Sequence, residues 1–188
     1  MPRIIYATAT SLDGYIADAN NSLDWLFAVE GGDEAIAEGE AFMAGITVQV
    51  EGSTTYRWVV EHEQLLENPE KWSSFYGDRK TFVFSSQLDL PLVPGADIDV
   101  LNGPVSDYVD AILAAAGGGD VHLVGGGALA AEFAAIGRLD AIYLSIAPVT
   151  LGAGAPLFAA SFDSSRLRLT EVHQTGQFVQ AEYDVVSG

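Results

Sequence analysis

The 188-residue chain contains no cysteine. Disulfide bonds, thiolate metal sites and cysteine nucleophiles are therefore excluded, and cysteine usage does not indicate a redox compartment. The three histidines, His62, His122 and His173, are far apart and show no His-x-x-x-His spacing, so we expect no metal site. A Gly-x-Ser-x-Gly segment, typical of serine hydrolases, is also missing from the sequence.

Basic residues are scarce. Eight lysines and arginines stand against 26 acidic residues, which gives a formal net charge of −18. Nucleic acids and anionic membranes are bound through clustered cations that neutralise phosphates, so both are unfavourable partners for this chain. The acidic residues are spread along the sequence and form no tail, which favours a solvated surface over an acidic binding segment.

Long apolar runs are missing as well. No stretch approaches the roughly 18 to 20 apolar residues that span a bilayer. The segment Met1 to Tyr6 has no basic region, apolar core and cleavage site of the secretory type, so we expect a cytoplasmic protein. The length fits one domain with a substantial core, and we predict a single domain over residues 1–188.

The most informative segment present is an apolar run at 121–124 that breaks into Gly125, Gly126 and Gly127 and then resumes at helical spacing. This pattern predicts a strand, a glycine turn and a helix. Such a helix directs unpaired backbone N–H groups and the positive end of its dipole at a ligand, so the segment outlines a phosphate site. The glycine spacing matches neither common phosphate-binding signature, and a tight turn before a packed helix is the alternative.

Predicted strands and helices alternate along the rest of the chain. Strands are predicted at 3–10, 46–51, 80–84, 97–101 and 140–149, and helices at 33–44, 53–61 and 105–116. From 167 to 186 a period of two predicts a closing antiparallel hairpin. The fold class is therefore α/β, with a mainly parallel sheet, helices on both faces in three αβα layers, and an antiparallel edge.

Four segments together resemble the dihydrofolate-reductase-like group. They are Ser11 to Ala17, Gly52 to Tyr56, the glycine turn, and Leu139 to Phe158. The most family-specific part is the run Pro148-Val-Thr-Leu-Gly-Ala-Gly-Ala-Pro-Leu-Phe158. Within that group the chain is most similar to the reductase domain of bacterial riboflavin biosynthesis and its stand-alone relatives. The resemblance covers almost the whole chain. It implies a reductase that transfers a hydride from a nicotinamide dinucleotide to a small heterocyclic or carbonyl substrate.

The resemblance also assigns residues to the cofactor, which is NADPH or alternatively NADH, lying across the carboxyl ends of the strands. The assigned residues are Ala7 and Ile16 at the nicotinamide carboxamide, Gly52, Ser53, Thr54 and Thr55 at a helix start, Ser85 and Ser86 after the third strand, and Gly125, Gly126, Gly127, Ala128 and Leu129 at the pyrophosphate.

Arginine is absent where relatives tend to carry it. They usually have arginine in place of Ser53, and often serine followed by arginine where this chain has Ser85, Ser86 and Gln87. Arginine recognises a ribose 2′-phosphate through paired hydrogen bonds. We therefore expect little discrimination between NADPH and NADH.

Hydride transfer requires a proton at the neighbouring atom. Glu40 lies on a predicted helical stripe with Ile36 and Met43, where folate-reducing relatives hold a substrate-binding carboxylate, and it is the first candidate. Glu38 on the same helix is an alternative. Asp13, in the loop after the first strand, is a second catalytic candidate, although an aspartate before glycine also shapes a turn.

Trp25, Phe42 and Tyr56 are predicted to line the pocket of a flat small-molecule substrate, with core packing as the alternative. The terminal hairpin and the apolar run at 147–158 offer more apolar surface than one domain needs, which predicts a homodimer. The missing arginines also fit a second hypothesis. In it, the chain is a non-catalytic dimeric protein that retains the fold and binds nucleotide weakly or not at all.

Overall fold

The structure is a computed structural model that describes residues 1–30, 32–87 and 89–186. The side chains at 33–36 lie outside the described part, and with them the predicted stripe position Ile36. The strands are β1 (Ile4–Ser11), β2 (Tyr15–Ala17), β3 (Ile46–Gly52), β4 (Lys80–Phe84), β5 (Ile98–Leu101), β6 (Asp120–Val124), β7 (Ala141–Ala147), β8 (Ala155–Pro156), β9 (Leu167–Thr175) and β10 (Phe178–Val185). The helices are α1 (Asp24–Phe27), α2 (Gly32–Met43), α3 (Ser53–His62), α4 (Trp72–Phe75), α5 (Val109–Ala116) and α6 (Gly127–Ala135).

Eight strands form one sheet in the order β5-β4-β3-β6-β1-β7-β10-β9. All neighbours from β5 to β7 pair in parallel, whereas β10 pairs antiparallel with both β7 and β9. The short strands β2 and β8 form a separate antiparallel pair. The predicted parallel sheet with a closing antiparallel hairpin is confirmed.

Helices cover both faces of the sheet because successive strand residues point to opposite sides. On one face α5 and α6 pack over a core that includes Tyr6, Leu123 and Phe133. On the other face α3 and α4 pack over Val83 through Tyr56 and other aromatic side chains. The three αβα layers are as predicted.

Two helical segments differ from the sequence prediction, and the short elements β2, α1 and β8 were not predicted. The helix expected at 105–116 is split into a 3₁₀ turn, Val105–Asp107, and α5, since the backbone at Tyr108 leaves the helical region with φ −120°. The segment 63–78, for which the sequence predicts no helix or strand, contains α4, and the ring centroids of Trp72 and Tyr76 stack there 4.0 Å apart in the core. A four-residue helix is too short to produce a recognisable apolar period.

A carboxyl group is enclosed in this second core. Glu51, near the end of β3, is 0% exposed. The Tyr76 hydroxyl donates a hydrogen bond to Glu51 Oε2 at 3.2 Å, and Oε1 has no partner among the described residues. Burial raises the pKa of Glu51 to about 8, because the charged form is poorly solvated there. The neutral acid is therefore the favoured form at neutral pH.

This buried acid predicts a pH-dependent stability. Unfolded Glu51 releases its proton near pH 4.5, whereas the folded protein holds it until about pH 8. Between those values the folded state binds more protons, so the free energy of unfolding contributed by this residue decreases as pH rises, by about 1.4 kcal/mol per pH unit. Glu51→Gln, which is neutral and similar in shape, should remove that slope.

Urea unfolding at pH 5, 6, 7 and 8 measures the effect. The free energy of unfolding of the variant, relative to that of the wild type, should increase steadily from pH 5 to pH 8. The exposed Glu67→Gln serves as the control and should follow the wild-type curve. Parallel pH curves for Glu51→Gln and wild type would show that the buried carboxyl does not hold a proton.

Candidate functional site

Two helix starts meet at one edge of the sheet. Strands β3 and β6 are parallel neighbours, so their carboxyl ends lie side by side. Helix α3 begins at Ser53 directly after β3, and α6 begins at Gly127 after the glycine turn that follows β6. Neither start has a side-chain cap among the described residues. The first N–H groups of both helices are therefore free to bind a ligand at this edge, where the two dipoles favour an anion.

The glycine turn itself leaves space that a side chain would fill. Gly125 and Gly126 have φ angles of 68° and 85°, in the left-handed region that favours glycine. A Cβ atom on Gly125 would lie 3.5 Å from Thr55 Oγ1, so the turn faces the first turn of α3 directly.

Gly127 is required for a different reason. A Cβ atom there would come within 2.5 Å of the carbonyl oxygens of Pro156 and Leu157, so this glycine admits the chain after β8. Tyr6 supports the same contact, because its hydroxyl donates to the Leu157 carbonyl at 3.0 Å. The specific run at 148–158 thus closes over the start of α6.

We call the set formed by Gly125, Gly126, the first turn of α6 and the first turn of α3 the cradle. Ala128 is exposed in the first turn of α6, and Leu129 is buried in the core, so Leu129 can offer a ligand its backbone but not its side chain. Thr54 is exposed and Thr55 is partly buried at the α3 start. These residues fit a pyrophosphate, because backbone N–H groups and hydroxyls are its usual donors at a helix start.

A groove of about 280 Å³ lies beside the cradle, at the ends of β4 and β5. The described residues that line it are Ser53, Phe84, Ser85, Ser86, Leu101, Asn102, Gly103, Leu129 and Glu132. The buried Ser85 hydroxyl closes a local turn, since it donates to the Gln87 carbonyl at 2.7 Å and accepts from the Gln87 N–H at 2.9 Å. Ser86 is exposed.

A cleft of about 280 Å³ lies on the other side of the cradle, between α2 and the strands β1, β6, β7 and β10. Its walls include Ala7, Phe42, His122 and Tyr143, with Glu38 among the lining residues from α2. The Phe42 ring lies edge-on to the rings of His122 and Tyr143, with centroids 5.3 and 5.6 Å away. The cleft therefore has flat aromatic walls suited to a planar ring.

His122 lies in the apolar strand β6, and it also lines the cleft. Its Nε2 is 3.1 Å from the Ala7 carbonyl oxygen, and Nδ1 is buried with no partner among the described residues. Burial lowers the pKa of His122 to about 4, so the ring is neutral at physiological pH. In the sequence, the one feature that distinguishes this cleft residue is that it is a polar residue within the apolar run at 121–124.

Of the acidic candidates on α2, Glu38 lines the cleft, whereas Glu40 is exposed and lies outside the lining. Glu38 accepts a hydrogen bond from Thr175 Oγ1 at 2.6 Å and bonds His173 Nε2. The Thr175 hydrogen bond, with a further contribution from His173, lowers the pKa of Glu38. Among the described residues of α2, Glu38 is thus the carboxylate that lines the cleft.

Among the three predicted aromatic residues, the structure places Phe42 alone in the cleft lining. Tyr56 is 0% exposed in the core, where its hydroxyl donates to the Pro91 carbonyl at 2.8 Å and accepts from the Val93 N–H. Trp25 lies partly buried on α1, outside the described lining of the cleft.

Asp13 ties two loops together. Its carboxylate accepts hydrogen bonds from Ser11 Oγ at 2.6 Å, from the Gly152 N–H at 2.7 Å and from the Leu151 N–H at 3.0 Å. These bonds, that of Ser11 first, lower the pKa of Asp13 and hold it ionised. The geometry gives Asp13 a positioning contact to the run at 148–158. Ile16 lies on β2, which pairs with β8 of that run.

Among the described residues no group of three or more His, Asp or Glu side chains could hold a metal ion. In the same part of the chain, each helix is too short or too polar to cross a membrane.

Known proteins share this architecture. The family model described as RibD C-terminal domain matches residues 2–181. The uncharacterized protein YwjB of Bacillus subtilis (strain 168) is 30% identical over 176 residues, which cover 93% of this chain and 93% of YwjB.

Two solved structures show the fold. The "Putative riboflavin biosynthesis protein" of Shewanella sp. PV-4 has a TM-score of 0.78 at 24% identity, covering 98% of this chain and 99% of that one. Dihydrofolate reductase from Enterococcus faecalis, complexed with NADP(H) and RAB-propyl, has a TM-score of 0.61 at 16% identity, covering 98% and 97%. The predicted dihydrofolate-reductase-like fold is confirmed. Because the family model spans almost the whole sequence, the chain belongs to the RibD C-terminal domain family.

Proposed function

We propose that this chain is an NAD(P)H-dependent reductase of the cytoplasm, folded as a single domain, that acts on a small planar heterocycle or a related carbonyl compound. The observation that carries the proposal is the cradle. Two helix starts without side-chain caps face each other across Gly125 and Thr55, at the carboxyl edge of a mainly parallel sheet. In open α/β sheets, ligands such as dinucleotides generally bind at the carboxyl ends of the strands.

The cradle residues would hold the pyrophosphate of the dinucleotide. N–H groups at the starts of α3 and α6 would donate to its oxygens, together with the hydroxyls of Ser53, Thr54 and Thr55. The bound dinucleotide supplies a hydride. The family resemblance assigns Ala7 to the nicotinamide carboxamide, and Ala7 lines the cleft. The nicotinamide end would therefore meet the substrate in the cleft.

The cleft would hold the substrate. The rings of Phe42 and Tyr143 would pack against a flat heterocycle, while the ionised Glu38 accepts hydrogen bonds from its N–H groups. An ionised carboxylate is an acceptor, so the proton needed beside the hydride would come from water. Glu40 and Asp13 remain the sequence candidates for catalysis, and Glu38 is the carboxylate that the cleft geometry favours.

We also propose a homodimer, through an apolar face of the terminal hairpin. Leu169, Val172 and Val179 are 52%, 58% and 44% exposed. They share one face of the sheet with Leu144, since Val172 pairs with Ala181, which pairs with Leu144. The same hairpin supplies the edge strand β9, which a second copy would cover.

The second candidate is a non-catalytic protein that keeps the fold. Ser53 favours it, because an arginine at this place would be a strong phosphate donor and serine is a weaker one. Dinucleotide binding separates the two candidates directly.

The cradle predicts the effect of Ala128→Asp. An aspartate in the first turn of α6 favours the helix dipole, so the fold should be retained, while its carboxylate repels the pyrophosphate. Affinity for NADH and NADPH should fall roughly tenfold or more, a loss of at least about 1.4 kcal/mol. Titration calorimetry measures both affinities. Valine at Gly126 is a poorer probe, because the φ angle of 85° strains any side chain there.

The matched control is Ala135→Asp, at the exposed opposite end of the same helix, which should bind as the wild type does. Absence of heat for wild type with either dinucleotide up to millimolar concentration would refute the cofactor proposal. Unchanged affinity in Ala128→Asp would place the pyrophosphate elsewhere.

The dimer proposal predicts that Val172→Asp dissociates the protein, because a buried unpaired charge is costly at an apolar interface. Light scattering at micromolar concentration should give twice the 19.9 kDa chain mass for wild type and 19.9 kDa for the variant. Gln177→Asp, exposed in the hairpin turn, should stay dimeric. A wild-type mass of 19.9 kDa would end this proposal.

The activity prediction uses the two glutamates of α2 as a pair. Dihydrofolate and the aminopyrimidine of riboflavin biosynthesis are the first compounds to test, with dinucleotide oxidation followed by absorbance. Glu38→Gln should lower kcat/KM tenfold or more without changing dinucleotide affinity, whereas the exposed Glu40→Gln should resemble wild type.

Thr175→Val controls for the hairpin contact, because it removes the Thr175 hydrogen bond and keeps the carboxylate. A large loss in Glu40→Gln alone would return that role to Glu40. Equal rates in Glu38→Gln, Glu40→Gln and wild type would remove both carboxylates from the mechanism.

A further inference from the structure

The order of the strands separates the two ends of a ligand held at the cradle. The cradle follows β3 and β6, the cleft lies at β6, β1, β7 and β10, and the groove lies at β4 and β5. This strand order places the groove and the cleft on opposite sides of the cradle. Because adjacent strands are about 4.8 Å apart, the groove and the cleft each lie about 10 to 15 Å from the cradle. A dinucleotide with its nicotinamide end in the cleft would therefore place its adenosine end in the groove.

The groove is poor in positive charge. None of the described residues that line it is basic, and one of them, Glu132 on α6, is an exposed carboxylate. The Arg57 guanidinium donates to Gln87 Oε1 at 2.6 Å, outside the described lining. Lys80, at the beginning of β4, is far from its carboxyl end and pairs with Asp97 at 2.6 Å.

The polar groups that remain suit a sugar better than a phosphate. Asn102 Nδ2 donates to the Ser85 carbonyl at 2.9 Å, and the Ser85 hydroxyl bonds Gln87, so both are already engaged. The Ser53 and Ser86 hydroxyls and the Glu132 carboxylate line the rest of the polar surface. A carboxylate accepts hydrogen bonds from ribose hydroxyls, whereas it repels a 2′-phosphate.

We propose that the groove binds the adenosine end of a dinucleotide that lacks the 2′-phosphate and that Glu132 makes the protein select NADH over NADPH. This inference rests on the proposed cofactor role of the cradle. It goes beyond the sequence expectation of little discrimination, because a missing arginine removes attraction to the 2′-phosphate, whereas a carboxylate in the groove adds repulsion.

Titration calorimetry with NADH and NADPH tests the proposal, and ADP and adenosine 2′,5′-bisphosphate serve as fragments that probe the groove without hydride transfer. Wild type should bind NADH at least tenfold more tightly than NADPH. Glu132→Gln should reduce that ratio mainly by strengthening NADPH, and Glu132→Arg should invert it. The exposed Glu61→Gln on α3, outside the described groove lining, is the matched control and should leave the ratio unchanged.

Salt provides an independent check. The preference should shrink as ionic strength rises, because the charge of the exposed Glu132 is screened. An NADPH affinity equal to or above that for NADH, or a ratio unchanged in Glu132→Gln, would overturn this inference and leave the proposed function standing. Binding of neither dinucleotide would overturn the proposed function itself.

Discussion

The parallel pairing of β3 with β6 is the constraint on which the candidate site depends. It brings the ends of two strands together although about 70 residues separate them in the chain. Each strand is followed by a helix, so two sets of unpaired N–H groups face the same space. Gly125 and Gly126 complete the arrangement, because their left-handed backbone turns the chain from β6 into α6 without placing a side chain against Thr55.

This arrangement allows an acidic protein to bind an anionic ligand. A chain with a net charge of −18 repels anions at long range, and the described residues that line the groove beside the cradle include no lysine or arginine. Backbone N–H groups and helix dipoles act over short distances and do not depend on side-chain charge. A protein with an acidic surface can thus hold a pyrophosphate, provided that its anion site is built from backbone.

Local patterns in the sequence were enough for the sheet type, the hairpin and the glycine turn. The period of two at 167–186 and the break at Gly125 to Gly127 are read within a few residues. The strand order and the partners of α2 were not available in this way. Glu38 and Glu40 show the reason: a helical stripe defines relative directions around the helix, but the partners Thr175 and His173 that meet Glu38 lie more than 130 residues away.

Tyr56 was predicted to line the pocket, with core packing as the alternative, and the structure has it packed in the core, where its hydroxyl donates to Pro91 and accepts from Val93. His122 shows the opposite case, since a polar residue in an apolar strand is both packed and part of the cleft wall. Contacts between distant segments determine whether such a side chain packs in the core or lines the cleft, and the sequence of a single strand or helix does not predict those contacts.

Amide chemical shifts offer the most direct test of the cradle. In a ¹⁵N-labelled sample titrated with ADP-ribose, which lacks the nicotinamide ring, the largest changes should fall on the N–H groups of Ser53 to Thr55 and Gly125 to Leu129. The groove around Ser86 should follow. Saturable shifts confined to other surfaces, with these two helix starts unmoved, would contradict the account.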